Sequence, residues 1–135
     1  MAPSVNSAVA DAFPDDRLAV TFFRRDYNYS LYSYERFYDL PPPEDPAFKE
    51  AIMDMWWADT QALMDVFDTR DNLAYYIPYW RALADSHCST VISFAGSEIQ
   101  ELDETMYDFV AELLDDEAPL ESYLESEQPD EDQPE

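Results

Sequence analysis

Glycine is nearly absent from this chain: Gly96 is the only one in 135 residues. A chain with one glycine cannot build a glycine-rich phosphate cradle, and neither GxxxxGK[ST] nor GxGxxG occurs, which excludes the common nucleotide enzymes. Cysteine is as scarce. Cys88 stands alone, so no intramolecular disulfide forms, a stapled secreted scaffold is excluded, and a reducing cytoplasm fits best. His87, the one histidine, has no second histidine to complete a zinc site. His87 and Cys88 therefore read as ordinary structural residues, and no metal or cofactor is expected. The acidic tail lacks the glycine and ligand spacing of an EF-hand loop. No stretch approaches eighteen uninterrupted apolar residues, and MAPSVNSAVADAF has no basic segment leading an apolar run, so a soluble protein of the cytoplasm is expected. Carboxylate pairs can be drawn anywhere among thirty-one acids, so no such pair points to catalysis. The sequence reads as non-enzymatic.

The deficit that shapes the rest is in positive charge. Seven lysines and arginines face thirty-one acids, a formal charge of −24. From residue 82 to the end there are seventeen acids and no lysine or arginine. Such charge opposes compaction, and a protein that keeps it uses it for solubility or to meet a positively charged partner. Nucleic acid and membranes are not expected partners. Yet 47% of the chain is apolar and 16% aromatic, too much for a disordered chain. The length suits one domain: an N-terminal arm over 1–16, an acidic globular domain over 17–118, and a partly disordered acidic tail over 119–135.

The composition predicts a helix-rich α+β fold with a small antiparallel sheet, or all-α as the alternative. The arm holds one helical turn over Ala8–Phe13, ended by Pro14. RLAVTFF, Arg17–Phe23, has strand composition. In DYNYSLYSYERFYDL, Asp26–Leu40, alternation suits a strand, but Tyr27, Leu31, Tyr34 and Tyr38 also fall at helical spacing, with Ser30 as a cap and Leu40 as the end. Strand first and helix second is the expected order. LPPPEDP is an extended connector; Asp45 then caps a helix that Pro46 opens and that runs to Asp68. Phe48, Ile52, Met55 or Trp56, Leu63 and Val66 or Phe67 line its inner side. A further helix, kinked at Pro78, is expected through NLAYYIPYWRALADS, then a strand over Ser89–Phe94 and a turn at Gly96. A second strong helix starts at Ser97, with Ile99, Leu102, Met106, Phe109 and Leu113 inward, and PLESYLES adds a turn or two.

Acids line the outer faces of both strong helices: Glu50, Asp54, Asp65 and Asp68 on the first, Glu101, Glu104, Asp108, Glu112 and Asp115 on the second. Acids three or four residues apart on a helix sit roughly 5–6 Å from one another, a spacing of the order of neighbouring phosphates along a nucleic-acid strand. The stripes are therefore candidates to imitate a phosphate backbone. Any solvated helix shows a charged outer face, and one lysine among so many acids also suits a protein kept soluble in high salt. Against the first stand the missing basic residues of the last fifty-four positions, since ordinary surfaces intersperse signs; against the second stands the wealth of large aromatics.

Five tyrosines fall between Asp26 and Leu40. Tyrosine and tryptophan concentrate at the energetic centres of interfaces, and an arginine-lined cleft would meet both carboxylates and ring faces. Tyr27, Tyr29, Tyr32 and Tyr34 are the expected exposed set. A homodimer through Met55, Trp56 and Trp57 is the self-association the sequence permits. The closing segment ETMYDFVAELLDDEAPLESYLESEQPDEDQPE, an acidic amphipathic helix running into a Leu/Tyr-containing acidic tail, resembles the C-terminal part of Ocr-like antirestriction proteins. The whole composition is similar to that of acidic DNA-mimic inhibitors, anti-CRISPR proteins included. The proline connector and the strands depart from the helical build of Ocr-like proteins, so neither fold nor target carries over. The resemblance implies a phage-type inhibitor that occupies the nucleic-acid channel of a bacterial defence nuclease or CRISPR effector. An immunity protein or antitoxin against a basic nuclease is the second expectation.

Overall fold

A computed structural model describes residues 3–81, 87 and 98–127. Helix α1 spans Pro3–Ala12, strand β1 Leu18–Thr21, α2 Tyr27–Tyr34, α3 Ala47–Phe67, β2 Leu73–Ile77, α4 Met106–Leu114 and β3 Tyr123–Leu124. The strands form one sheet in the order β1-β2-β3, and both pairings are parallel. That corrects the expected antiparallel sheet, and the sheet itself removes the all-α alternative. Parallel neighbours need long crossovers; α2 and α3 fill the first and α4 lies in the second.

The reason lies in β2. All five residues of LAYYI are buried. Leu73, Tyr75 and Ile77 pack with Leu63 and Phe67 of α3, whereas Ala74 and Tyr76 pack with Ile99, Met106 and Phe109 on the α4 side. A strand covered on both faces reads as a continuous apolar run and not as an alternating one. That is why NLAYYIPYW looks helical by period. Pro78 biases Ile77 away from helical angles, so the proline that was expected to kink a helix ends a strand.

Helix α3 is the central support. Asp45 Oδ1 accepts from the Ala47 amide at 2.9 Å, leaving Pro46 at the cap position. The buried residues Phe48, Ile52, Met53, Trp56, Thr60, Leu63 and Phe67 follow the expected helical spacing, each large apolar one contributing roughly 1.5–3 kcal/mol. Helix α1 is longer than the single turn expected and places Ala10 in the core. Helix α2 starts one turn earlier than the Ser30 cap predicted: buried Asp26 accepts from the Tyr29 amide, and the helix stops at Tyr34, short of Leu40.

Helix α4 starts at Met106, not Ser97. Thr105 and Asp108 form a capping box, the 98–105 segment before it contains no helix, and Leu102 is partly exposed. PLESYLES supplies β3 and no helical turn. The expected strand over 89–94, the turn at Gly96, the Ser97 cap, Cys88, the 82–86 part of the expected helix and the tail from 128 lie outside the described residues.

Candidate partner-binding surface

Several of the basic side chains are held by groups of their own chain. Arg17 donates to the carbonyls of Glu112, Asp116 and Ala118, at 2.7, 3.0 and 2.6 Å, closing the C-terminal end of α4 where a cation meets the helix dipole favourably. Arg70 pairs with Asp11, which holds the Asp11 carboxyl below its usual range. Arg81 pairs with buried Glu125 at 2.8 Å. Arg24 lies 3.8 Å from the Trp57 ring centroid and 3.3 Å from Glu127. The Lys49 ammonium lies 5.4 Å from the Tyr27 ring centroid. Arg36 and Lys49 remain exposed, so most but not all of the basic side chains described are drawn to partners on their own chain.

On α3 the expected stripe is present. Glu50, Asp54, Asp65 and Asp68 are all exposed. Among the described residues, none of the four is in an ion pair with a basic side chain. Asp68 accepts from the Tyr75 hydroxyl at 3.1 Å, and burial together with this carboxylate pushes the Tyr75 phenol up to about 12. Asp54 also lines a cavity of about 200 Å³ with Arg24, Arg25, Trp57 and Glu127 beyond the C-terminal ends of β1 and β2.

The second stripe is not one face. Asp108 caps its own helix, and the hydrogen bonds from Thr105 lower its carboxyl. Glu104 and Glu112 are half-buried. Glu101 accepts from the Ser126 amide, and Asp115 is the C-cap, accepting from the Glu117 amide at 3.0 Å. What α4 shows to solvent is instead Tyr107, Ala111 and Leu114. The expected acid stripe and the apolar one differ by a rotation of one residue, because Met106, Phe109 and Val110 turn toward Tyr76 and Tyr123.

Burial, with the nearby Glu104 charge adding to it, raises the Glu112 carboxyl. Its Oε2 is buried with no hydrogen-bond partner among the described residues. The folded state therefore takes up this proton more readily than the unfolded one, and stability falls as pH rises through the folded value. Glu112→Gln is expected to raise the thermal midpoint at pH 7, on the order of 1–2 °C. Melts repeated at lower pH should show the gain vanishing below about pH 4.3, where glutamate is protonated in either state.

The tyrosines divide by helical face. Tyr34 is 3% exposed and donates to Asp59 at 2.6 Å; burial and this carboxylate raise its phenol. It leaves the expected exposed set because it shares the inner face of α2 with Ser30. Tyr27 is half-buried. Tyr29 and Tyr32 are 52% and 67% exposed, and Phe37 and Tyr38, which sequence reasoning passed over, are 76% and 54% exposed. Helical spacing could have found the inner position of Tyr34, four residues from Ser30. Of the patch expected for self-association, Trp56 is buried against Phe22 and Tyr29, while Met55 and Trp57 are half-buried. His87 Nδ1 lies 2.9 Å from the Asp26 carboxylate, a structural contact.

No family model matches the chain, and neither a curated protein nor a solved structure is similar to it. Among the described residues no cluster of His, Cys, Asp and Glu could hold a metal ion, and no helix is long and apolar enough to cross a membrane.

Proposed function

We propose that the protein is a non-enzymatic DNA-mimic inhibitor that blocks the positively charged nucleic-acid channel of a bacterial defence nuclease or CRISPR effector, in the manner of anti-CRISPR and antirestriction proteins. The observation that carries this reading is the outer face of α3, where Glu50, Asp54, Asp65 and Asp68 are exposed and without a basic partner among the described residues. On a rigid helix these carboxylates span about 27 Å, from the rise of ~1.5 Å per residue. A row of fixed negative charge competes with phosphates for the same guanidinium and ammonium groups. The exposed Tyr29, Tyr32, Phe37 and Tyr38 supply the apolar anchors that acids lack, since rim charges govern association rate more than residence time.

The test is capture of partners from a bacterial lysate on the immobilised chain at low salt, with elution by stepwise salt and, separately, by excess duplex DNA. A nucleic-acid enzyme released by both is the expected result, because mimicry requires mutually exclusive binding and counter-ion sensitivity. A single partner that duplex DNA leaves in place would refute mimicry and favour the toxin-neutralising alternative.

A further inference from the structure

Between the end of α2 and the start of α3 the chain folds a groove of about 320 Å³, lined by Glu35, Tyr38, Asp39, the prolines 41–43 and Phe48. Its walls are chemically one-sided. Proline has no N–H, so the triproline side offers ring carbons and carbonyl oxygens, one of which, on Pro42, already accepts from the Asp45 amide at 2.8 Å. Glu35 and Asp39 add carboxylates, and buried Phe48 is apolar. The Tyr38 ring is more than half exposed and stands edge-on to buried Tyr34 at 5.6 Å, which fixes its position.

A groove of acceptors and carbon selects a ligand that brings donors only. Arginine has five N–H donors, no acceptor, and a planar head that stacks on rings. A phosphate or a carboxylate would meet like charge and find only the Tyr38 hydroxyl as a side-chain donor. A second copy of this chain would bring more acid to an acidic rim. We infer that this groove receives an arginine side chain of the protein partner, its guanidinium on the Tyr38 ring and between the Glu35 and Asp39 carboxylates. The inference rests on the reading of the partner as a basic nucleic-acid-binding protein, and it names one contact within that interface.

One element already sits nearby: the exposed Arg36 Nε lies 3.6 Å from Glu35 Oε1. It is a loose internal competitor for the same carboxylate. Its removal should strengthen arginine binding, a change that partial unfolding would not produce.

The experiment titrates the full chain with the blocked tripeptide acetyl-Gly-Arg-Gly-amide, following the aromatic resonances of Tyr38, Phe48 and the distant Tyr107 by NMR. The citrulline peptide, isosteric but neutral, is the control. Arginine should shift Tyr38 and Phe48 and leave Tyr107 in place, and citrulline should do neither. The double variant E35Q/D39N should weaken the arginine peptide at least about fivefold, and R36A should tighten it about twofold. Equal shifts at Tyr107, or unchanged binding by E35Q/D39N, would overturn the assignment. Displacement by duplex DNA is read on the partner and does not require this particular contact, whereas the peptide titration is read on the isolated chain, so failure here leaves mimicry standing, and failure there leaves the arginine contact measurable.

Discussion

Glu125→Ala is expected to destabilise the fold by about 3–5 kcal/mol, the cost of removing one member of a buried ion pair and leaving the other charge unmatched. Glu125 is 2% exposed. One of its oxygens accepts from the Tyr79 amide at 2.6 Å and from Arg81 at 2.8 Å; the other accepts from Arg81 at 3.0 Å and the Gln100 amide at 3.1 Å. Its own amide donates to the Ile77 carbonyl. One carboxylate thus fastens the end of β2, the strand β3 and the segment before α4. Urea unfolding followed by circular dichroism checks the size of the loss. A double-mutant cycle with Arg81→Met should show the pair costing less when both charges go than the sum of the single losses, because no orphaned charge is left. A loss under about 1 kcal/mol would place Glu125 among ordinary exposed acids, whose pairs contribute that little.

Reversing Glu50 and Asp65 to lysine together is expected to weaken binding to the DNA-displaceable partner on the order of 100-fold, since like charges across an interface cost several kcal/mol. These two sites are the cleanest choice on α3. Both are exposed and have no basic partner among the described residues, whereas Asp54 shares a cavity with Arg24 and Arg25 and Asp68 holds the Tyr75 hydroxyl. Lysine near the start of a helix is mildly unfavourable and near its end mildly favourable, so the melting midpoint should hardly move. Fluorescence anisotropy against the purified partner reads the affinity, and calorimetry reads the fold. Unchanged affinity in a folded double variant would remove α3 from the interface. Reversing Glu104, Asp108 and Glu112 is a poorer test, because Asp108→Lys also breaks the capping box, by itself a loss of about 0.5–2 kcal/mol.

Helix α3 was legible in the sequence because its information is local. A proline at the start, an aspartate just before it and a 3.6-residue apolar period all act within a few turns. Strand β2 was not legible, because its pattern depends on what covers it. LAYYI alternates between α3 on one side and α4 on the other, and no short-range signal tells a strand buried on both faces from a buried helix. The tyrosine-rich segment shows the same division. Its helical spacing was visible, yet whether Asp26 or Ser30 capped it decided which tyrosines faced outward.

The sequence by itself determined that this chain folds, that its charge is overwhelmingly negative, that it holds a single glycine and a single cysteine, and that one acid stripe lies along α3. Those properties follow from composition and near-neighbour spacing. Only the tertiary structure decided that the sheet is parallel, that Asp108 and Glu125 serve the fold, and that α4 shows Tyr107 and Leu114 to solvent. Only folding, likewise, brought Tyr38 and Phe48 to one groove. The physical reason is that a carboxylate's role depends on which donors reach it, and the donors to Glu125 come from positions 25 to 46 residues away.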